Sequence, residues 1–199
     1  MKLTRRTILQ GVGTLPLLTS GLALPARAQT AATAVGELPP VLFVHGNGDH
    51  AALWMTTLWR MESNGVPRSR LAALNFTDPL ARNDDAVALP NRSSTEDQRR
   101  EVSEAIKALK ERTGAARVAL VGSSRGGNAI RNVVKNGGGA DVSHAVLCGT
   151  PNHGVFDWED SPGSEFNGRG PFLRGLNAGD NEVTEGTAFL TLRSDGLDK

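Results

Sequence analysis

Val118-Ala119-Leu120-Val121-Gly122-Ser123-Ser124-Arg125-Gly126-Gly127 is the stretch that decides the fold. Its four leading apolar residues read as a short buried strand. A helical pattern follows, with Ala129, Ile130, Val133 and Val134 on its inward side over 128–135. A strand, a sharp turn and a helix are therefore predicted, with Ser124 at the apex. Glycine is needed at 122 and 126 because side chains there would crowd so tight a turn. The turn pushes a serine hydroxyl out at the carboxyl edge of a sheet, where a base and a substrate can reach it.

Working outward, Val41-Leu42-Phe43-Val44 is another continuous apolar run and ends in His45-Gly46-Asn47-Gly48. Such a run suits a strand buried on both faces. Residues 51–64 carry Leu53, Trp54, Leu58 and Met61 at helical spacing, closed by Gly65. Residues 71–76 form the next strand. The long 77–93 connection, with Pro79, Asn83, Pro90 and Asn91, is a candidate wall of a binding site. A helix starts at Ser94 or Thr95, runs to Arg112 on a stripe of Val102, Ala105, Ile106 and Leu109, and stops at Gly114. Residues 142–148 and 189–192 read as strands, and 157–180 as a loop with at most a short helix.

Strands alternating with helices predict an α/β fold: a mostly parallel sheet with helices on both faces. Ligands of such sheets meet the carboxyl ends of the strands. Four groups follow strands and are expected along that one edge: residues 45–48, Ser124, residues 150–153 and residues 194–198.

With 22 basic and 21 acidic side chains in 199 residues, the chain has no charge excess to attract nucleic acid. Its N-terminus reads as an export signal over 1–28: a basic start, an apolar uncharged run from Ile8 to Leu24, and the small-x-small site Ala26-Arg27-Ala28. Thr4-Arg5-Arg6-Thr7-Ile8-Leu9-Gln10 resembles a twin-arginine signal. The mature protein is then one domain over 29–199, exported to the periplasm or outside the cell. No other run is long and apolar enough to span a bilayer. Cys148 is the sole cysteine, so no internal disulfide forms, and its apolar surroundings mark it as a core thiol. No metal-ligand constellation and no cofactor motif is visible.

A serine hydroxyl is a weak nucleophile until a base takes its proton. Ester hydrolysis also loads negative charge on the carbonyl oxygen, which two aimed backbone N–H groups can stabilise. Arg125, directly after the serine, offers one such N–H. Asn47, between Gly46 and Gly48, offers the other.

Residues 41–48, 122–127, 149–154 and 192–198 together resemble the α/β-hydrolase fold, and more closely the small secreted bacterial lipases and esterases (the class 2 lipases). The likeness covers about Pro40 to Lys199. It implies Ser124 as nucleophile, Asn47 and Arg125 as oxyanion-hole donors, and an acid after a late strand. Asp198 fits that place best, with Asp195 as the alternate. Position 123 is Ser where many relatives carry His.

The family order is nucleophile, acid, histidine. No histidine follows Asp198, so the sequence is expected to be C-terminally incomplete, without the last strand and helix. Of its four histidines, His45 is expected to shape the oxyanion loop, His50 to be a capping or surface residue and His144 to be structural, while His153 is expected to line the acyl pocket, with the role of base as its alternative. The expected activity is that of an exported serine ester hydrolase with an acyl-enzyme intermediate, acting on small-molecule or lipid esters, with the export machinery as its other partner. The alternatives are a non-catalytic hydrolase-like domain that binds an apolar ligand, or a polyester depolymerase or amidase on the same fold.

Overall fold

Val41-Leu42-Phe43-Val44 has no polar side chain to turn toward water, and the chain covers both sides of it. The computed structural model describes residues 38–155, 158–179 and 183–194. The export signal expected over 1–28 lies outside the described residues. The main strands are β1 (Val41–Val44), β2 (Leu71–Leu74), β5 (Val118–Ser123), β6 (Val142–Cys148) and β7 (Ala188–Leu192). They form one five-stranded sheet in the order β2-β1-β5-β6-β7, and every neighbouring pair is parallel. The mostly parallel sheet expected from the sequence is thus present.

Successive side chains of a strand point to opposite faces, and β1 shows what each face meets. Leu42 and Val44 pack with Val102, Ile106 and Leu109 of α2 (Thr95–Thr113) and with Ala129, Ile130 and Val133 of α3 (Arg125–Val133). Phe43 points the other way, into Trp54, Leu71 and Leu58 of α1 (Met55–Ser63). Helices therefore lie on both faces. Burying each large aliphatic side chain contributes about 1.5–3 kcal/mol, and Leu42, Leu120 and Ile130 are each at most 1% exposed. On the α1 face, cover by the described residues ends toward β7. There Val146 and Leu190, and Cys148 and Leu192, are paired in register, and Leu190 and Leu192 are exposed.

Element ends follow local chemistry. Ser94 and Asp97 form a reciprocal capping box at the start of α2, and Gly114 (φ 67°) closes it. The 51–64 segment opens as a 3₁₀ turn over Ala51–Trp54, capped by His50, before α1 begins. Strand β2 ends at Leu74, two residues before the expected end. The Thr77–Ser93 connection contains a small ladder absent from the sequence reading: β3 (Leu80–Ala81) pairs parallel with β4 (Arg92–Ser93). A six-residue helix, α4 (Pro171–Leu176), is the only regular element described between β6 and β7. No helix among the described residues is long and apolar enough to cross a membrane.

One boundary departs from expectation in an instructive way. The apolar pattern starts a helix at Asn128, yet α3 begins at Arg125. The N–H of Gly127 already donates to Ser124 O at 3.0 Å, so the turn itself is the first turn of the helix. Two glycines carry little helix propensity. They are helical here because the strand before them and the sheet beneath them fix the path.

Candidate active site

Ser124 stands where β5 ends and α3 begins. Its N–H still donates to Cys148 O of β6 at 2.9 Å, so it is the last residue of the sheet ladder. Its own backbone has φ 52° and ψ −122°, a positive φ that a residue with a side chain seldom adopts. Holding a serine there costs about 1–3 kcal/mol, which persists only where the surroundings over-determine it. The surroundings do so through absent side chains. A Cβ on Gly126 would lie 2.5 Å from His45 O and 2.6 Å from Val44 O, both backbone. One on Gly122 would lie 2.7 Å from Ile130 and 2.8 Å from the Gly126 backbone.

The same close approach brings the loop after β1 to the serine. A Cβ on Gly46 would lie 3.1 Å from Ser124 Cβ and 3.6 Å from its Oγ. Asn47 follows, in a turn closed by Asp49 N–H to Gly46 O at 3.4 Å. Asn47 Oδ1 accepts the Ala81 N–H at 2.7 Å, and Gly48 N–H donates to Pro79 O at 3.0 Å. The loop is thereby pinned to the 77–93 connection. Arg125, as the first residue of α3, has an N–H with no carbonyl a turn earlier in the helix to receive it.

The histidines sort by their partners. His45 is fully buried; Nδ1 donates to Gly46 O at 2.9 Å and Nε2 accepts the Phe76 N–H at 3.2 Å. Burial pushes its pKa down, so the ring is held neutral with both nitrogens engaged. His50 accepts the Ala52 N–H at 3.1 Å and caps the 3₁₀ turn. His144 is exposed on β6, its Nδ1 3.0 Å from Ser143 Oγ. His153 follows β6 on the carboxyl edge. It lines a cavity of about 510 Å³ with Thr150, Pro151, Thr191 and Leu192, and a second of about 290 Å³ with Glu159 and Arg169. Asp198 and Asp195 lie outside the described residues.

Cys148, at the end of β6 beside exposed Leu192, is only partly buried and so lies outside the core where the sequence placed it; burial still pushes its thiol pKa up. Among the described residues no three His, Cys, Asp or Glu side chains are placed to hold a metal ion.

Sequence reasoning overlooked one part of the site. The Arg125 side chain is wholly buried and meets Glu165, itself 2% exposed. Arg125 Nη2 donates to Glu165 Oε2 at 2.7 Å, and Nε to Oε1. Burial pushes the Glu165 carboxyl pKa up while the guanidinium opposes the shift. Forty positions separate the two residues, so no local pattern could have joined them.

A parallel sheet with a serine on a strained strand-to-helix turn, and a glycine loop from the next strand against it, defines an α/β-hydrolase. The chain belongs to the palmitoyl protein thioesterase family, whose family model matches residues 40–187. Solved structures agree on the fold. Aspergillus fumigatus lipase B is 16% identical with a TM-score of 0.57, over 79% of this chain and 38% of that one. The mature form of Bacillus licheniformis lipase BlEst2 is 19% identical with a TM-score of 0.52, over 77% of this chain and 64% of that one. A Listeria innocua gene product is 17% identical with a TM-score of 0.51, over 77% and 68%. The chain thus spans less than two thirds of the length of either lipase. No curated protein matches it.

Proposed function

We propose that the protein is an exported serine hydrolase of carboxylic esters. The observation that carries the reading is Ser124, held at φ 52° on the carboxyl edge with Gly46 packed against it. Strain of this kind gathers at functional sites, and here it presents a nucleophile.

Ser124 Oγ attacks the ester carbonyl carbon as a general base takes its proton. The carbonyl oxygen becomes an oxyanion, received by the N–H groups of Asn47 and Arg125. Collapse expels the alcohol, which leaves with the proton, and an acyl-enzyme remains. Water then repeats the attack, releasing the acid and restoring the serine. Asp198 is the proposed triad acid, and the cavity at His153 the proposed acyl site. The family's name refers to a thioesterase of palmitoyl proteins, and a thioester carbonyl would undergo the same two steps with sulfur leaving. Residues 1–28 are the proposed twin-arginine export signal.

The test is hydrolysis of p-nitrophenyl esters together with labelling by a fluorophosphonate. Both are expected for the protein and absent from Ser124→Ala. Equal activity in that variant would overturn the reading.

A further inference from the structure

We propose that Glu165 is a positioning residue for the oxyanion hole, acting through the side chain of Arg125. The inference rests on the ester-hydrolase reading and adds to it the device that sets its two donors.

A guanidinium has five N–H groups in a fixed fork, and all five of Arg125 are matched. Nε and Nη2 hold the two oxygens of Glu165. Nη2 also donates to Ser93 O at 2.9 Å. Nη1 donates to Ser93 Oγ at 3.0 Å and to Pro79 O at 3.2 Å. Pro79 O is the carbonyl that also receives the Gly48 N–H, at 3.0 Å. One carbonyl therefore joins the loop carrying the Asn47 N–H to the side chain of the residue supplying the other N–H. Ser93 Oγ donates to Asp78 O at 2.6 Å and braces the same segment from the other end.

Glu165 keeps this fork in place. Two charges so deeply buried cost more in desolvation than an apolar pair would, so the pair is poor value as mere stabilisation. What it supplies is direction, because a bidentate carboxylate fixes the plane of the guanidinium. With that plane fixed, Nη1 is aimed at Pro79 O. The segment that carries Glu165 is itself held: Gly163 O, two residues earlier, accepts the Asp85 N–H at 2.8 Å, and Ser164 Oγ accepts the Phe166 N–H at 3.2 Å. Oxyanion donors act only when held to within about 0.5 Å of the productive geometry. A link from 158–170 through Arg125 and Pro79 to Gly48 provides that constraint.

The experiment compares Glu165→Gln, Ser93→Ala and the protein itself. Its readouts are kcat and KM on a p-nitrophenyl ester and hydrogen exchange at the Gly48 amide. Val102→Ala, in the core of α2, controls for general loss of stability. In Glu165→Gln, kcat is expected to fall about 10- to 100-fold, somewhat less than loss of a whole donor. KM should stay within about twofold, as for an interaction made only in the transition state. Gly48 exchange should quicken. Ser93→Ala, which keeps the charge pair, should show the same pattern in smaller degree and carries the test if Glu165→Gln does not fold. The inference is overturned if kcat is unchanged, if KM rises in its place, or if the Val102→Ala control loses as much kcat. Absence of turnover and labelling in the protein itself would overturn the hydrolase reading alone. Gly48 exchange separates the two failures: exchange left unaltered by the substitutions overturns the link from Glu165 to the loop, whether or not the protein turns over ester.

Discussion

Gly46 is packed so closely on Ser124 that a Cβ at 46 would stand 3.1 Å from the serine Cβ and 3.3 Å from Ser123 O. That contact is tight without being impossible, so Gly46→Ala should shift the loop by a few tenths of an ångström. Displacing an oxyanion donor by that much is expected to lower kcat about 10- to 100-fold while stability falls by about 1 kcal/mol. Gly126→Ala is the contrast. Its Cβ would meet only backbone, at 2.5 and 2.6 Å, and overpacking of this kind costs about 1–3 kcal/mol or more. Steady-state kinetics and urea unfolding of both variants check the split. Equal effects on stability would show that the loop cannot relax away from Ser124 and that position 46 is as tightly enclosed as 126.

The strain at Ser124 makes a second measurement possible. Glycine enters φ 52° freely, whereas alanine keeps the penalty of a Cβ. Both substitutions remove the hydroxyl, so their difference reports on backbone strain. Ser124→Gly is expected to be more stable than Ser124→Ala by about 0.5–2 kcal/mol, the strain less the extra entropy of an unfolded glycine. Thermal unfolding of the two decides it, and an alanine variant as stable as the glycine one would mean the turn stores no strain.

The fold was readable from the sequence because its determinants are local. Val118–Ser123 followed by a glycine-flanked serine specifies strand, turn and helix within ten residues, and Ser94 with Asp97 marks the start of α2 by side chains three apart. The 3₁₀ turn that opens the 51–64 segment is less legible, since hydrophobic spacing does not separate it from an α-helix. The bracket behind the elbow is not legible at all. Arg125, Pro79, Ser93 and Glu165 meet across 32 to 46 positions. The motif shows Arg125 only as a backbone donor, since only the packed chain shows that its side-chain charge is enclosed.

His45 carries a pH dependence whose sign is fixed by its partners. Its folded pKa lies below the ordinary 6.5, because burial disfavours the charged ring and a proton on Nε2 would face the Phe76 N–H. The unfolded chain therefore binds the proton first as pH falls. Above about pH 6.5 the group adds no slope, and below it stability declines until the folded pKa is reached. His45→Gln should cost about 1–2 kcal/mol at pH 7.5 through the lost hydrogen bonds, and should flatten the decline between pH 7 and 5. Urea midpoints across that range test this, and an identical slope in the variant would assign the decline elsewhere.

Asp97 acts in the opposite direction and at lower pH. Its carboxylate accepts the Ser94 N–H at 3.0 Å and the Ser94 hydroxyl at 2.7 Å, and it pairs with Arg100 at 3.0 Å. The two Ser94 hydrogen bonds are the main cause that lowers its pKa from 3.8 to about 2. The folded state thus favours the ionised form. Its contribution is complete above the unfolded value near 3.8 and is lost as pH falls through about 2. Asp97→Asn keeps the shape and removes the charge, so it should cost about 1 kcal/mol at pH 7, the usual worth of a helix cap. The gap between the two proteins should hold from pH 7 to about 4 and then narrow steadily toward pH 2. Denaturant midpoints at pH 7, 5, 4 and 3 measure it. A gap that persists unchanged at pH 3 would place the stabilisation in packing at the start of α2, where neutral asparagine would be the worse fit at every pH.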